Sequence, residues 1–216
     1  MNFFGHCYVA CWERRDPAFV LGSMLPDFAT MVGTRLAGAE DAGVEAGIAH
    51  HHAVDGVFHS TGTFVGWMRE AGALLDAKSV RWGTARAVAH IGVELLLDGV
   101  LVAEERAANA AYLEALEAAR PGALGEQVRF KHDAASERFD ALCGRLREYG
   151  LPEDVGSPET VTLRLERALA PRERLRMHPG DRPAVRRCME AMLPRVRERT
   201  DQLLGELHAG LAGAPR

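Results

Sequence analysis

Residues 87–103, AVAHIGVELLLDGVLVA, constrain the fold of this chain more than any other stretch. Their only ionisable side chains are His90, Glu94 and Asp98, spaced four and four. Four residues advance a helix by one turn plus about 40°, so all three project from one flank of an otherwise apolar cylinder. A helix that is apolar around most of its circumference is buried around most of it. An acid buried there costs several kcal/mol unless it is paired or binds a cation. Other helices must therefore surround this one, and its polar stripe needs a common partner.

Residues 47–59, GIAHHHAVDGVFH, repeat the pattern with His51, Asp55 and His59. His50 and His52 project elsewhere on the wheel, with His52 near enough to compete as a ligand. Imidazole and carboxylate four residues apart form a compact chelating pair for a divalent metal. Two such helices facing one another predict a dinuclear site, on the same logic as carboxylate-bridged sites in helical bundles. Of the nine histidines, His132, His178 and His208 lie in charged contexts and carry no functional weight.

Helix punctuation recurs along the rest of the chain, and strand signals are almost absent. A first helix is expected over 3–14. Asp16-Pro17 starts a short helix that stops near Pro26, leaving Asp27 at a helix end or turn. Gly33 and Gly38 mark a loop. Further helices are expected over 41–59 and 64–77. Ser79 caps a long helix through Val100 that continues to Ala119, before Pro121-Gly122 ends it. Residues 123–149 read as one amphipathic helix closed by Gly150 and Pro152. Ser157-Pro158 caps the next, and Pro171, Pro179-Gly180 and Pro183 precede a last helix over 184–211. With no repeat and no linker, the expectation is an all-α fold in which residues 1–216 form a single-domain helical bundle. Its metal-site half is 1–119 and its Arg-rich half 120–216.

A hydrophobic content of 47% with 26% charged residues excludes wholesale disorder. The net charge of −4 argues against a general nucleic-acid binder, so no nucleic-acid partner is expected. Residues 1–119 carry 8 Lys and Arg against 15 Asp and Glu, and residues 120–200 carry 17 against 13. The basic second half fits either an acidic partner or helix faces held by i,i+4 ion pairs. Four cysteines (Cys7, Cys11, Cys143 and Cys188) are too few for a disulfide framework and read as buried free thiols, with metal binding by Cys7 and Cys11, which share a helical face, the alternative. The opening apolar stretch lacks a basic front and runs into Glu13-Arg14-Arg15, unlike a secretion signal. Residues 87–103 are too interrupted for a membrane span. A cytoplasmic location is the expectation.

The segments Met1-Asn2-Phe3-Phe4-Gly5-His6, Gly22-Ser23-Met24-Leu25-Pro26-Asp27-Phe28, and Gly47-Ile48 through Asp55 resemble the acyl carrier protein phosphodiesterases. The resemblance covers roughly the first hundred residues. It implies an HD-like helical, metal-dependent hydrolase that removes 4′-phosphopantetheine from a serine of holo acyl carrier protein, favouring manganese. His6, Asp27, His51 and Asp55 match the family pattern directly, and Glu94 and Asp98 take the place of its paired acids. The chain departs from the pattern at His52 and Ala53, where arginines are expected, at His59, where an acid is expected, and at Ser23, where asparagine is expected. Imidazole in place of carboxylate moves the expected metal from manganese towards zinc or iron.

These readings converge on a metal-dependent phosphoric ester hydrolase holding one or two divalent ions (Mn, Zn or Fe). The expected ligands are His6, Asp27, His51, Asp55, His90, Glu94 and Asp98. His52 and His59, or His50, whichever is left unligated, are the expected proton donors, and Arg81 and Arg86 are candidate phosphate clamps. The alternatives are a zinc-dependent phospholipase C or nuclease-like hydrolase, and a non-catalytic metal- or ligand-binding helical protein.

Overall fold

The computed structural model describes residues 1–104, 106–132, 134–152 and 154–213. The chain is all-α: among the described residues it forms nine α-helices and one two-stranded antiparallel ribbon. The helices are α1 (Phe3–Glu13), α2 (Pro17–Met31), α3 (Ala42–Phe58), α4 (Gly62–Asp76), α5 (Trp82–Glu104), α6 (Arg106–Ala118), α7 (Ala135–Tyr149), α8 (Pro158–Leu169) and α9 (Arg182–Ala212). No helix among the described residues is long and apolar enough to cross a membrane.

Small polar residues set the starts of four helices, two of them, at Asp16 and Ser157, where the sequence predicts a cap. The Asp16 side chain accepts from the Phe19 N–H at 3.1 Å, with Pro17 in the first helical position of α2. Asp41 accepts from the N–H groups of Gly43 and Val44 at 2.8 and 3.0 Å, where α3 begins. Thr61 and Ser157 cap α4 and α8 in the same way.

Three expectations are corrected. First, α2 does not stop at Pro26 but runs to Met31, so Asp27 lies inside a helix. An interior proline costs about 3 kcal/mol. Phe28, fully buried beyond it, packs its ring 5.4 Å from that of Phe3 and returns a comparable amount. Second, Ser79 caps nothing: it sits at φ +57° in the turn after α4. The Arg81 carbonyl starts α5 instead, accepting from Ala85 at 2.8 Å. The long helix expected here is α5 followed by α6, and Glu105 lies outside the described residues.

Third, residues 123–149 are not one helix. Before α7 they form a 3-10 turn (Leu124–Gln127) and strand β2 (Val128–Phe130). This strand pairs antiparallel with β1 (Leu36–Ala39), placing Leu36 opposite Phe130 and Ala39 opposite Val128. Buried Val128 and half-buried Phe130 flank exposed Arg129, an alternation of two that suits a strand.

The chain divides into two compact units. The first comprises Met1–Asp55 and Leu101–Pro152. In it α2 packs on α1, α6 and α7. Its core gathers Phe3, Phe4, Phe28, Tyr112 and Phe139, with neighbouring ring centroids 5.4–6.5 Å apart. The second unit comprises Gly56–Val100 and Glu153–Arg216. There α9 packs along α4 and α8 around Trp67, Leu75, Leu165, Met189 and Leu203, all fully buried.

Candidate metal centres

In the first unit His6 on α1, Asp27 on α2 and His51 on α3 converge, each offering a ligand atom within 4.8 Å of the others. A glycine pair brings α2 and α3 close enough for this. A Cβ on Gly22 would stand 2.1 Å from the Val44 carbonyl oxygen, and one on Gly47 would stand 2.2 Å from that of Phe19. Only glycine permits such backbone contact. One turn beyond Gly47, His51 Nδ1 donates to the Ser23 carbonyl at 2.8 Å. That bond fixes the tautomer and leaves Nε2 as the lone-pair nitrogen, as metal-binding histidines require. The His51 and His6 rings stack with centroids 3.7 Å apart.

Burial, reinforced by the neighbouring His6, pushes His51 down to about 3 and keeps its imidazole neutral. Asp55 is not one of the three converging groups. Its carboxylate accepts from the Met1 nitrogen at 2.7 Å and lies 3.3 Å from His6 Nε2. Burial would raise this carboxyl, but His6 and the Met1 ammonium hold it well below the usual carboxylate range. His52 is exposed, its ring standing edge-on to that of His51 at 5.3 Å.

In the second unit His59, just past the end of α3, meets His90 and Glu94 of α5, again within 4.8 Å of one another. Glu94 Oε1 lies 3.1 Å from Nε2 of both histidines. The two imidazoles stack 4.9 Å apart, with the Phe64 ring edge-on to each at 5.2 and 5.3 Å. On the opposite flank of α5, Gly92 lies against Met189, where a Cβ would be 2.8 Å from the sulfur. That contact seats α5 on α9 with its polar flank turned the other way. Burial would raise Glu94, but its surroundings, hydrogen bonds from both imidazoles among them, hold it well below the carboxylate range. Glu94 is buried while both histidines are half-exposed.

The α3 stripe is thus divided: His51 joins a group in the first unit and His59 one in the second. His59, expected as a proton donor, stands among the candidate ligands. Asp98 is buried on α5 but belongs to neither three-residue group. Arg81 is not placed as a phosphate clamp. Its guanidinium donates to the carbonyls of Glu173 and Arg174 at 3.2 and 2.9 Å, and it starts α5 about 13 Å along the helix from His90. Two supporting contacts, the Ser23 carbonyl and the Phe64 ring, are not legible in the sequence. A backbone oxygen leaves no compositional trace, and Phe64 reads as ordinary core.

The donor chemistry fits a divalent ion. Tetrahedral ligands about 2.1 Å from an ion stand about 3.4 Å apart, close to the 3.1 Å separations around Glu94. Each group offers two imidazoles and one carboxylate, a set suited to zinc or iron. No protein-family model matches this chain, and neither a curated protein nor a solved structure similar to it was found.

Proposed function

We propose that the chain is a metal-dependent phosphoric ester hydrolase. The observation that carries this reading is the His59–His90–Glu94 group, three ligand side chains with half-exposed imidazoles. Structural zinc sites are closed by four protein ligands, whereas hydrolytic ones take three and leave a position for water. A divalent ion held there lowers the pKa of its bound water towards neutrality and offsets charge on phosphoryl oxygens. Glu94 anchors the group, and Phe64 holds both imidazoles edge-on so that their nitrogens face the same point.

The resemblance to acyl carrier protein phosphodiesterases supports a phosphodiester substrate, with holo acyl carrier protein the first to assay. The two-imidazole, one-carboxylate donor set favours zinc or iron over manganese. A second reading rests on the other group, where His6 and His51 are both buried: metal binding there serves stability alone.

The test is elemental analysis of purified protein, followed by metal-dependent hydrolysis of bis-p-nitrophenyl phosphate and of holo acyl carrier protein. Bound metal with turnover supports the hydrolase. Bound metal without turnover on either substrate leaves the stability reading. A protein that takes up no manganese, zinc or iron excludes both.

A further inference from the structure

The arginines of the second unit differ in their surroundings. Several along α9 are paired with acids: Arg182 meets Glu159 at 2.7 Å, Arg186 meets Glu190 at 2.9 Å, and Arg199 meets Glu70 at 2.7 Å. Five others, Arg81, Arg86, Arg172, Arg174 and Arg176, are all exposed, and among the described residues none has a carboxylate within 4.0 Å.

These five belong to two stretches far apart in sequence that the fold ties together. Arg81 donates to the carbonyls of Glu173 and Arg174, and Thr84 Oγ1 donates to that of Arg176 at 3.3 Å. Arg176 Nε is itself held by the Ala170 carbonyl at 2.9 Å. Beside them Trp82 is 70% exposed, the most open aromatic ring of this unit, with the Arg86 guanidinium 5.1 Å above it. Residues 81–86 and 170–178 contain five arginines and a single acid, Glu173.

We propose that this face docks an acidic, partly apolar segment of another protein. Arginine forks match carboxylates in paired hydrogen bonds, and arginine and tryptophan are the residues on which protein interfaces most often depend. Backbone bonds already hold Arg81 and Arg176, so less side-chain freedom is lost on binding. An acidic segment also fits the electrostatics of the whole chain better than a membrane or a nucleic acid. Fields are screened within about 8–10 Å, so a short segment meets only the local positive charge. A net charge of −4 does not favour attraction of the chain to an extended anionic surface. This inference is independent of metal at either histidine group.

The test is fluorescence anisotropy of a labelled peptide alternating glutamate and leucine, titrated with the full chain at low and high salt. Saturable binding that weakens with salt is expected. Arg86→Glu combined with Arg174→Glu should weaken it by about tenfold or more, and Trp82→Ala by about fivefold. Arg197→Glu, an exposed reversal on α9, should change it by less than about twofold. Circular dichroism checks that each variant folds, and Arg172→Glu replaces Arg86→Glu should the start of α5 unravel. No binding by the unaltered chain, or equal binding by the double reversal, overturns the proposal. So does tighter binding to phosphatidylserine vesicles or to a DNA duplex than to the peptide.

Discussion

Glu94 shows how much rests on one side chain. It is buried, and a single carboxylate oxygen serves two imidazoles at 3.1 Å each. Glu94→Ala should remove the metal of the His59–His90–Glu94 group and lower hydrolysis by about 100-fold or more, read by elemental analysis and steady-state rates. Cysteine chemistry gives a second prediction at this scale. Burial pushes Cys143 up to about 12 and Cys188 up to about 11, against about 8.5 in an unfolded chain. The fold therefore favours both neutral thiols. That contribution is complete below about pH 8.5 and is lost as pH rises towards 11–12, because the unfolded state ionises first. Urea midpoints should fall across this window, and less steeply for Cys143→Ser. Cys11 is half-exposed, and a hydrogen bond involving Cys7 lowers its thiol. At pH 8 it should be the first cysteine to react with a thiol reagent, a fast phase that Cys11→Ser abolishes.

At the scale of elements, the contact between α2 and α3 decides whether His51 reaches Ser23 at all. Gly47→Ala drives a methyl group against a backbone carbonyl that cannot rotate away. We expect a loss of about 3 kcal/mol, the upper end for overpacking, together with loss of metal from the His6–Asp27–His51 group. Asp16→Ala removes only a helix cap and should cost about 1 kcal/mol with metal content unchanged. The sequence made the caps and helix ends legible because they are chosen within a few residues. It misled at Pro26, where a local penalty is offset by Phe28 packing against residues far along the chain. It misled again over residues 123–149, where pairing with β1 outweighs the helical pattern.

At the scale of the whole molecule, metal binding and stability are linked, because an ion that binds only the folded chain stabilises it. At a hundred times its dissociation constant the gain is about 2.7 kcal/mol. Saturating zinc should therefore raise the melting temperature, and a chelator should lower it. His51→Ala and His90→Ala should each reduce the bound metal and the thermal shift, read by calorimetry on the same samples. The sequence by itself determined that the chain is helical and which residues share a helix flank. It also marked the histidines and acids as too costly to bury without a partner. All of these follow from the turn of a single helix and the cost of desolvation. Only the tertiary structure decided that His51 meets His6 and Asp27 while His59 meets His90 and Glu94, and that the stretches carrying Arg81, Arg86, Arg172, Arg174 and Arg176 are tied together. Helical periodicity fixes angles about one axis. Which flanks meet is set by close packing between distant segments, down to the single missing methyl groups of Gly22 and Gly47.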